Sequence, residues 1–502
     1  MSFTANIDDV VGENRNGLLA KRPSWERVRL KEVATIQNGF PFESARFSKE
    51  RGMPLLRIRD ILPGQTETYY DGEFDDVFVV RRGDIVIGMD GDFNCTAWLG
   101  EPALLNQRVC RVTPDERRCV RQFLRYVLPG YLSAINDHTP SVTVKHLSSR
   151  TIAEIPLPLP PPREQRRIVA EIEKQFTRLE AGVAALRRVR ANLKRYRAAV
   201  LKAACEGKLV PTETEIHKSD KSCRSGSGVP TLKEKQPQSR DGSATFETGE
   251  QLLQRILAER RKNWKGRGKY KEPAAPDAAD LPSLPQGWAW ATIEQLNLAN
   301  RPCAYGVLQP GEDVENGVLF VRVGDIKDGK VDLTDLKRIS PVIAAQYPRT
   351  MLHGGELAMT LVGAIGRTAI VPDALAGGNT ARAVGIVPLS AELNPHWVEI
   401  WFRNPGKNAE MVSKSHEVAR KTLNLEDVRA ATIALPPRSE QMRVVAEAER
   451  RLSVAEELEA MVVANLRRAE RLRQAILQRA FHGELAKPVQ QQAAAGQEDQ
   501  SN

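Results

Sequence analysis

The side chains best suited to chemistry in this 502-residue chain are hydrogen-bond donors rather than acids, nucleophiles or metal ligands. Arg57, Arg59, Asn94, Asn106, Gln107, Arg108 and Lys145 lie in the first part of the sequence, and Arg322, Arg367, Arg382, Arg420 and Lys421 in the second. Arg can meet a guanine edge with two N–H groups, Asn or Gln can do the same with adenine, and Lys can meet a phosphate. Each alone reads as a solvated surface residue. As a set spread over both halves they point to nucleic-acid recognition. A net charge of +10 and a pI near 9.3 favour a polyanionic partner, although many basic proteins bind none.

Catalytic constellations are absent from the sequence. Gly266-Arg267-Gly268-Lys269 lacks the spacing and the preceding strand of a phosphate-binding loop. There is no Asn/Asp-Pro-Pro-aromatic run for holding a flipped base, and no glycine-rich strand-to-helix turn for a methyl donor. Asp84 and Glu356 follow glycines in strand-like runs with no Glu-x-Lys nearby, so they read as turn or strand-edge residues. His146, His353 and His482 are isolated and read as surface or packing residues. The six cysteines form no C-x-x-C pair, and scattered thiols imply a reduced, cytoplasmic chain without a structural metal. The longest apolar stretches, such as 80–89, are too short to span a bilayer.

The elements that must position the donors come as a repeat. Glu164-Gln165 opens a helical pattern closed by Gly207-Lys208-Leu209; Glu440-Gln441 opens another closed by Gly483-Glu484-Leu485. The two align without a gap, with Pro160-Pro161 matching Pro436-Pro437 and Ala204 matching Ala480. A duplicated unit builds a pseudo-two-fold object, and duplex DNA is a common target with that symmetry.

Around these patterns the chain divides as follows. Residues 1–21 read as a flexible lead-in and 22–162 as a first domain, with strand-like segments at 54–61, 78–89 and 109–112. A helix near 120–128 is expected to stop at Pro129-Gly130. Residues 163–210 form the first repeat helix and 211–285 a linker carrying an amphipathic helix at 249–264, either a docking element or a spacer. Residues 286–437 form a second domain, 438–486 the second repeat helix and 487–502 a disordered tail. Landmarks recur between the domains. Val321-Arg322-Val323-Gly324-Asp325-Ile326 echoes 56–61, and Gly355-Glu356-Leu357 echoes Gly83-Asp84-Ile85. Gly363 with Thr368-Ala369 echoes Gly91 with Thr96-Ala97, and Arg382-Ala383-Val384 echoes Arg108-Val109-Cys110. A shared frame with divergent loops suits two domains of one fold that read different ligands.

The repeat helices carry heptad seams. Ile172, Leu179, Leu186, Leu193 and Val200 occupy a in the first, with Phe176 and Val183 at d before Arg190 and Arg197 interrupt. Ala448, Ala455, Val462, Ala469 and Ile476 occupy a in the second, with Leu452 and Leu466 at d. Large residues facing small ones, and a strongly basic helix facing a charge-balanced one, suit an antiparallel coiled coil. The basic face Arg187, Arg188, Arg190, Lys194 and Arg195 reads equally as a phosphate-facing stripe, a docking surface or a solvated face.

With P-P-x-x-E-Q before each helix and Ala-x-x-Gly-x-Leu at its end, the chain resembles the specificity subunit of type I restriction–modification enzymes over residues 22–486. The carrying residues are Pro160-Pro161-Pro162-Arg163-Glu164-Gln165, Pro436-Pro437-Arg438-Ser439-Glu440-Gln441, the ends 203–209 and 480–485, and the connector segments 249–253 and 269–273. The resemblance implies an α+β chain: two mixed α/β target recognition domains in pseudo-two-fold repeat, joined by two long helices in an antiparallel coiled coil acting as a ruler. It implies double-stranded DNA as ligand, read as a bipartite asymmetric site. It further implies two modification subunits that methylate adenine with their own S-adenosylmethionine, and restriction subunits that use ATP and Mg. No cofactor and no membrane is implied for this chain. A self-contained DNA-modifying enzyme and a coiled-coil scaffold that binds no DNA are the competing readings.

Overall fold

The computed structural model describes residues 3, 5–13, 25–139, 144–224, 246–266, 268–277, 279, 281–327, 329–415, 421–482 and 484–485, with backbone alone for 219–224. Arg420, Gly483, the 14–21 part of the lead-in, the linker stretch 225–245 and the 487–502 tail lie outside the described residues. The chain divides into two compact units, Met1–Arg188 with Val463–Asn502, and Val189–Val462.

In the first unit a four-stranded antiparallel sheet is ordered Ala34–Asn38, Val109–Pro114, Ile85–Gly88, Cys95–Ala97. Ile85 and Ile87 point into the cluster that includes helix Arg121–Asp137, while Val86 points into a second cluster with Leu56, Trp98 and Leu105. Both faces are covered, which is why Ile85–Gly88 is apolar throughout rather than alternating. On the second face strand Met53–Leu56 runs parallel to Ala103–Leu105 within a five-stranded sheet.

The second unit repeats this plan. Its four-stranded sheet is ordered Ala304–Tyr305, Val384–Val387, Leu357–Thr360, Thr368–Ile370, and Val318–Val321 runs parallel to Asn379–Thr380. Leu357 and Met359 face one cluster and Ala358 another. The fold is therefore α+β, with two sheet-rich domains carrying long helices, Pro162–Cys205 and Arg438–Phe481, that pack against each other. At ~1.5 Å per residue each is about 65 Å long.

Within each unit the helices run antiparallel. In the first, Glu180 pairs with Arg473 at 3.4 Å, Arg473 lies over the Phe176 ring at 4.5 Å, and Ile172 shares a core with Ala480 and Phe481. In the second, Glu459 bonds Arg190 at 3.5 Å and Arg197 at 2.9 Å, and Val200, Leu201 and Ala204 share a core with Val445, Ala448 and Leu452. Ile172, Leu193, Ala448, Leu452, Ala455, Val462 and Ala469 are buried, and Leu179, Leu186 and Leu466 half-buried. The two arginines that interrupt the apolar seam thus meet one carboxylate on the facing helix.

The joint between each helix and its domain is the same in both units. Gln165 Oε1 accepts the Val120 N–H (2.7 Å) and its Nε2 donates to the Pro160 carbonyl (2.7 Å). Gln441 does likewise with the Asn394 N–H (3.0 Å) and the Pro436 carbonyl (2.9 Å). A fully buried amide so caps the first turn of the domain's own helix, Arg121–Asp137 or Pro395–Arg403, and ties it to the repeat helix. Glu440 accepts from Trp288 Nε1 (2.9 Å) and the Glu213 N–H (3.1 Å); burial pushes its carboxyl up against the pull of these donors. At the first helix's end Gly207 takes φ 67°, and the Lys208 N–H reaches back to the Ala203 carbonyl at 2.8 Å, a left-handed cap.

Two expectations need correction, and one open alternative is decided. Part of the supposedly flexible lead-in is a helix, Ile7–Glu13, whose Ile7, Val10 and Val11 are buried in the first core and whose Asp8 takes both Arg29 Nη groups (3.0 and 2.8 Å). Helix Arg121–Asp137 does not stop at Pro129. It continues because Tyr131, Leu132 and Ile135 are buried beyond it, and their burial outweighs the backbone bond a proline removes. The linker is not merely a spacer. Helix Glu213–Arg224 anchors through Glu213 to Arg443 at 2.5 Å, and helix Gly249–Lys262 buries Leu252, Leu253, Ile256 and Leu257 in the second unit's own core. Its apolar face docks on this chain.

Candidate nucleic-acid interface

In each domain the turns carrying the predicted donors gather at one end of the four-stranded sheet. In the first, the Arg108 carbonyl accepts the Met89 N–H (2.8 Å), the Lys145 carbonyl the Gly91 N–H (3.0 Å), and the Met89 carbonyl the Leu147 N–H (2.7 Å). The Gln107 N–H donates to the Phe40 carbonyl (2.9 Å), and the Asn106 N–H to the Leu56 carbonyl (3.4 Å), just before Arg57. Residues 57, 94, 106, 107, 108 and 145, far apart in sequence, are thereby fixed on one edge.

The second domain builds the same bonds. The Ala383 carbonyl accepts the Leu361 N–H (2.8 Å), the Leu361 carbonyl the Leu423 N–H (2.8 Å), the Val307 carbonyl the Arg382 N–H (2.8 Å), and the Val321 carbonyl the Ala381 N–H (2.9 Å). Gly88 N–H to Asn94 carbonyl (2.8 Å) matches Thr360 N–H to Arg367 carbonyl (2.9 Å). Close approach explains a paired glycine that the sequence reading passed over. A Cβ on Gly39 would sit 2.0 Å from the Asn106 oxygen, and one on Gly306 2.1 Å from the Thr380 oxygen. The Asn38-Gly39-Phe40 and Tyr305-Gly306-Val307 triplets were the signal available in the sequence.

These bonds correct two of the expected matches by one residue. Arg382 occupies the place of Gln107, not Arg108, whose counterpart is Ala383. Thr368-Ala369 matches Cys95-Thr96, because Val371 N–H to Glu356 carbonyl (2.9 Å) repeats Trp98 N–H to Asp84 carbonyl (2.8 Å). The 56–61 match stands in register: Arg57 and Arg322 each open a 3-10 turn by donating their N–H to Asp60 (3.0 Å) and Asp325 (2.7 Å).

The side chains differ in availability. Gln107, Arg367, Arg382 and Lys421 are exposed, and their side chains have no bonded partner among the described residues. Asn94 and Arg57 are half-buried. Arg108 is exposed beside Asp90 (3.7 Å). Arg59 is exposed but bonded to Thr68 (3.2 Å) and Asp60 (3.7 Å). Arg322 is held by Asp325 (3.1 Å) and the Asp335 carbonyl (2.5 Å), and this pairing raises its pKa further. Two candidates are committed elsewhere. Asn106 is buried with its Oδ1 on the Gln107 N–H (2.9 Å), and Lys145 donates to the Asn136 carbonyl (2.7 Å) and Oδ1 (2.8 Å). Both shape turns: the Asn106 Oδ1 and the Lys145 ammonium are engaged within the fold rather than offered to a base.

The carboxylates are tied to arginines. Asp84 meets Arg111 and Arg121, each at 3.4 Å, and Glu356 meets Arg301 at 2.6 Å. No group of three or more His, Cys, Asp or Glu side chains is placed to hold a metal ion among the described residues. Burial raises the thiols of Cys95, Cys110, Cys119, Cys205 and Cys303, which are uncharged near neutrality. No described helix is long and apolar enough to cross a membrane.

The family model described as the type I restriction modification DNA specificity domain matches residues 23–185. The type I restriction enzyme EcoBI specificity subunit of Escherichia coli is 39% identical over 487 residues, covering 97% of this chain and 91% of that protein. The EcoKI specificity subunit of Escherichia coli strain K12 is 22% identical over 92% of this chain and 89% of its own length. A chain from a structural study of complex assembly and conformational transition in the type I R-M system shares the fold. Its TM-score is 0.55 at 19% identity, covering 93% of this chain and 99% of that one.

Proposed function

The chain belongs to the DNA specificity subunits of type I restriction–modification enzymes, their non-catalytic subunits, and on that premise we propose how it works. Residues 22–162 and 286–437 act as two target recognition domains, each reading one half of a bipartite, asymmetric double-stranded DNA site. Two modification subunits are directed to adenines in that site, carrying their own S-adenosylmethionine. Restriction subunits, with ATP and Mg, join the same assembly in the cytoplasm.

One observation carries the reading. The same hydrogen-bonded edge is built in both domains, yet it presents different donors: Asn94 and Gln107 in one, Arg367 and Arg382 in the other. A common frame with changed hydrogen-bonding groups is what two readers of different base sequences require. Gln107, Arg108, Asn94 and Arg57 serve the first half-site; Arg367, Arg382 and Lys421 the second.

The test is a genome-wide map of methylated adenines in cells with and without the gene, and with residues 25–160 exchanged for those of a relative. The methylated motif should vanish without the gene, and the exchange should alter one half-site alone. An unaltered motif after the exchange refutes the reading.

A further inference from the structure

One residue at the first domain's edge is held in a way no counterpart shares. Arg108 sits at φ 71°, one of two non-glycine residues in the left-handed region among the described residues, the other being Phe93. That conformation costs an arginine on the order of 1 kcal/mol. It is maintained by the Met89 N–H on the Arg108 carbonyl (2.8 Å), and it lifts the side chain out of the turn into solvent. The counterpart Ala383 receives the same carbonyl bond without a positive φ.

The guanidinium is also buttressed. His146 Nδ1 lies 2.6 Å from Asp90 Oδ1 and donates to it, and Asp90 Oδ2 lies 3.7 Å from Arg108 Nε. Arg108 Nη1 passes 3.3 Å from the same His146 nitrogen, which donates to Asp90 and does not accept from the arginine, so His146 supports the guanidinium through Asp90. Nη2 has no bonded partner among the described residues. Asp90 and His146 themselves form a bridge between the 89–94 turn and the 145–147 segment, so the support is part of the frame.

We propose that Arg108 reads a guanine of the first half-site through its O6/N7 edge, with Asp90 and His146 as positioning residues. This rests on the first domain being a DNA reader. The carboxylates decide between base and backbone. The Asp90 carboxylate lies 3.7 Å from the arginine's Nε, and exposed Asp92 lies two residues on. A phosphate brought there would meet two like charges, whereas the neutral acceptor pair of guanine would not. A buttressed fork also loses less rotamer freedom on binding and is a stricter judge of geometry.

The full chain is assembled with its modification subunits, and its methylated motif is read for Arg108→Gly, Arg108→Lys and Asp90→Asn. Glycine tolerates φ 71°, so Arg108→Gly removes the reader without straining the turn. Expected is a roughly 10- to 100-fold loss of discrimination at one first-half-site position, not restored by Arg108→Lys. Asp90→Asn should give a smaller loss at that position. Replacing the guanine there with 7-deazaguanine should weaken methylation by the unaltered complex and not by Arg108→Gly. Uniform weakening across all sites that Arg108→Lys restores would make Arg108 a phosphate contact and overturn the proposal. An unchanged motif in Arg108→Gly overturns it too, leaving the domain reading intact if exchange of 25–160 still switches the half-site. If the exchange changes nothing, the underlying reading has failed.

Discussion

The two domains share a backbone frame and differ in what they hang on it. At the sheet end, bond after bond recurs between them, down to the glycine that lets a strand approach its neighbour. At two matched positions the side chains are amides in the first domain, Asn94 and Gln107, and arginines in the second, Arg367 and Arg382. The lesson is that the conserved content of the duplication is hydrogen-bond register, while ligand chemistry is free to change on top of it. The cores diverge as well: where the end of one repeat helix offers Cys205 to the second core, the end of the other offers Phe481 to the first.

That core difference gives the largest expected effect. Phe481 is buried edge-on to Phe123 with ring centroids 5.8 Å apart. Phe481→Ala should destabilise the first unit by about 3–5 kcal/mol, against about 1 kcal/mol for Cys205→Ala in the second. Denaturant unfolding followed by domain-specific proteolysis measures both. Equal losses would mean the two helix ends are equivalent after all.

Next come the reading positions. Arg367→Ala and Arg382→Ala should each relax the second half-site by roughly 10- to 100-fold in discrimination, and Asn94→Ala and Gln107→Ala should relax only the first. Methylated-motif sequencing separates the two. Effects that cross between half-sites would break the one-domain, one-half-site assignment.

The third asymmetry is electrostatic. Glu399, in the helix following Asn394, is buried; its counterpart after Val120 is half-buried Arg125. Burial pushes the Glu399 carboxyl up to about 7, with Glu449 adding to the rise and Arg403, at 3.5 Å, opposing it. Raising an acid's pKa on folding means the folded unit holds an extra proton between about 4.5 and 7. Its stability should therefore fall as pH rises through that window, by up to about 1.4 kcal/mol per pH unit. Glu399→Gln should flatten the profile of the second unit and leave the first untouched. Melting temperatures across pH 4.5–8 test this, and a profile unchanged in the variant would exclude Glu399 as its source.

The smallest effect belongs to the seam. Glu459→Gln should cost about 0.5–1 kcal/mol, since Glu459, Arg190 and Arg197 are only partly buried, and the loss should shrink in high salt. A salt-insensitive loss would point to packing instead.

Much of this was legible in the residues. The P-P-x-x-E-Q and Ala-x-x-Gly-x-Leu runs mark helix starts and ends because proline, glycine and a capping amide act locally. Heptad spacing marks a seam for the same reason. Other features were not legible. The Ile7–Glu13 helix has only three apolar residues, and nothing local says a core awaits them. Pro129 looks like a stop until buried Tyr131 and Ile135 outweigh it. Arg382 resembles Arg108 in residue type but stands at the position of Gln107, because register is set by which N–H meets which carbonyl across the sheet.

By itself, then, the sequence determined the duplication, the helix limits and the polar groups available for recognition, all of them consequences of short-range preference and periodicity. Only the tertiary structure decided which of those groups face outward together. Asn106 and Lys145 are drawn inward while Gln107 and Arg108 are left exposed, because long-range backbone bonds to residues 19 to 67 positions away orient each turn. No local rule carries that information.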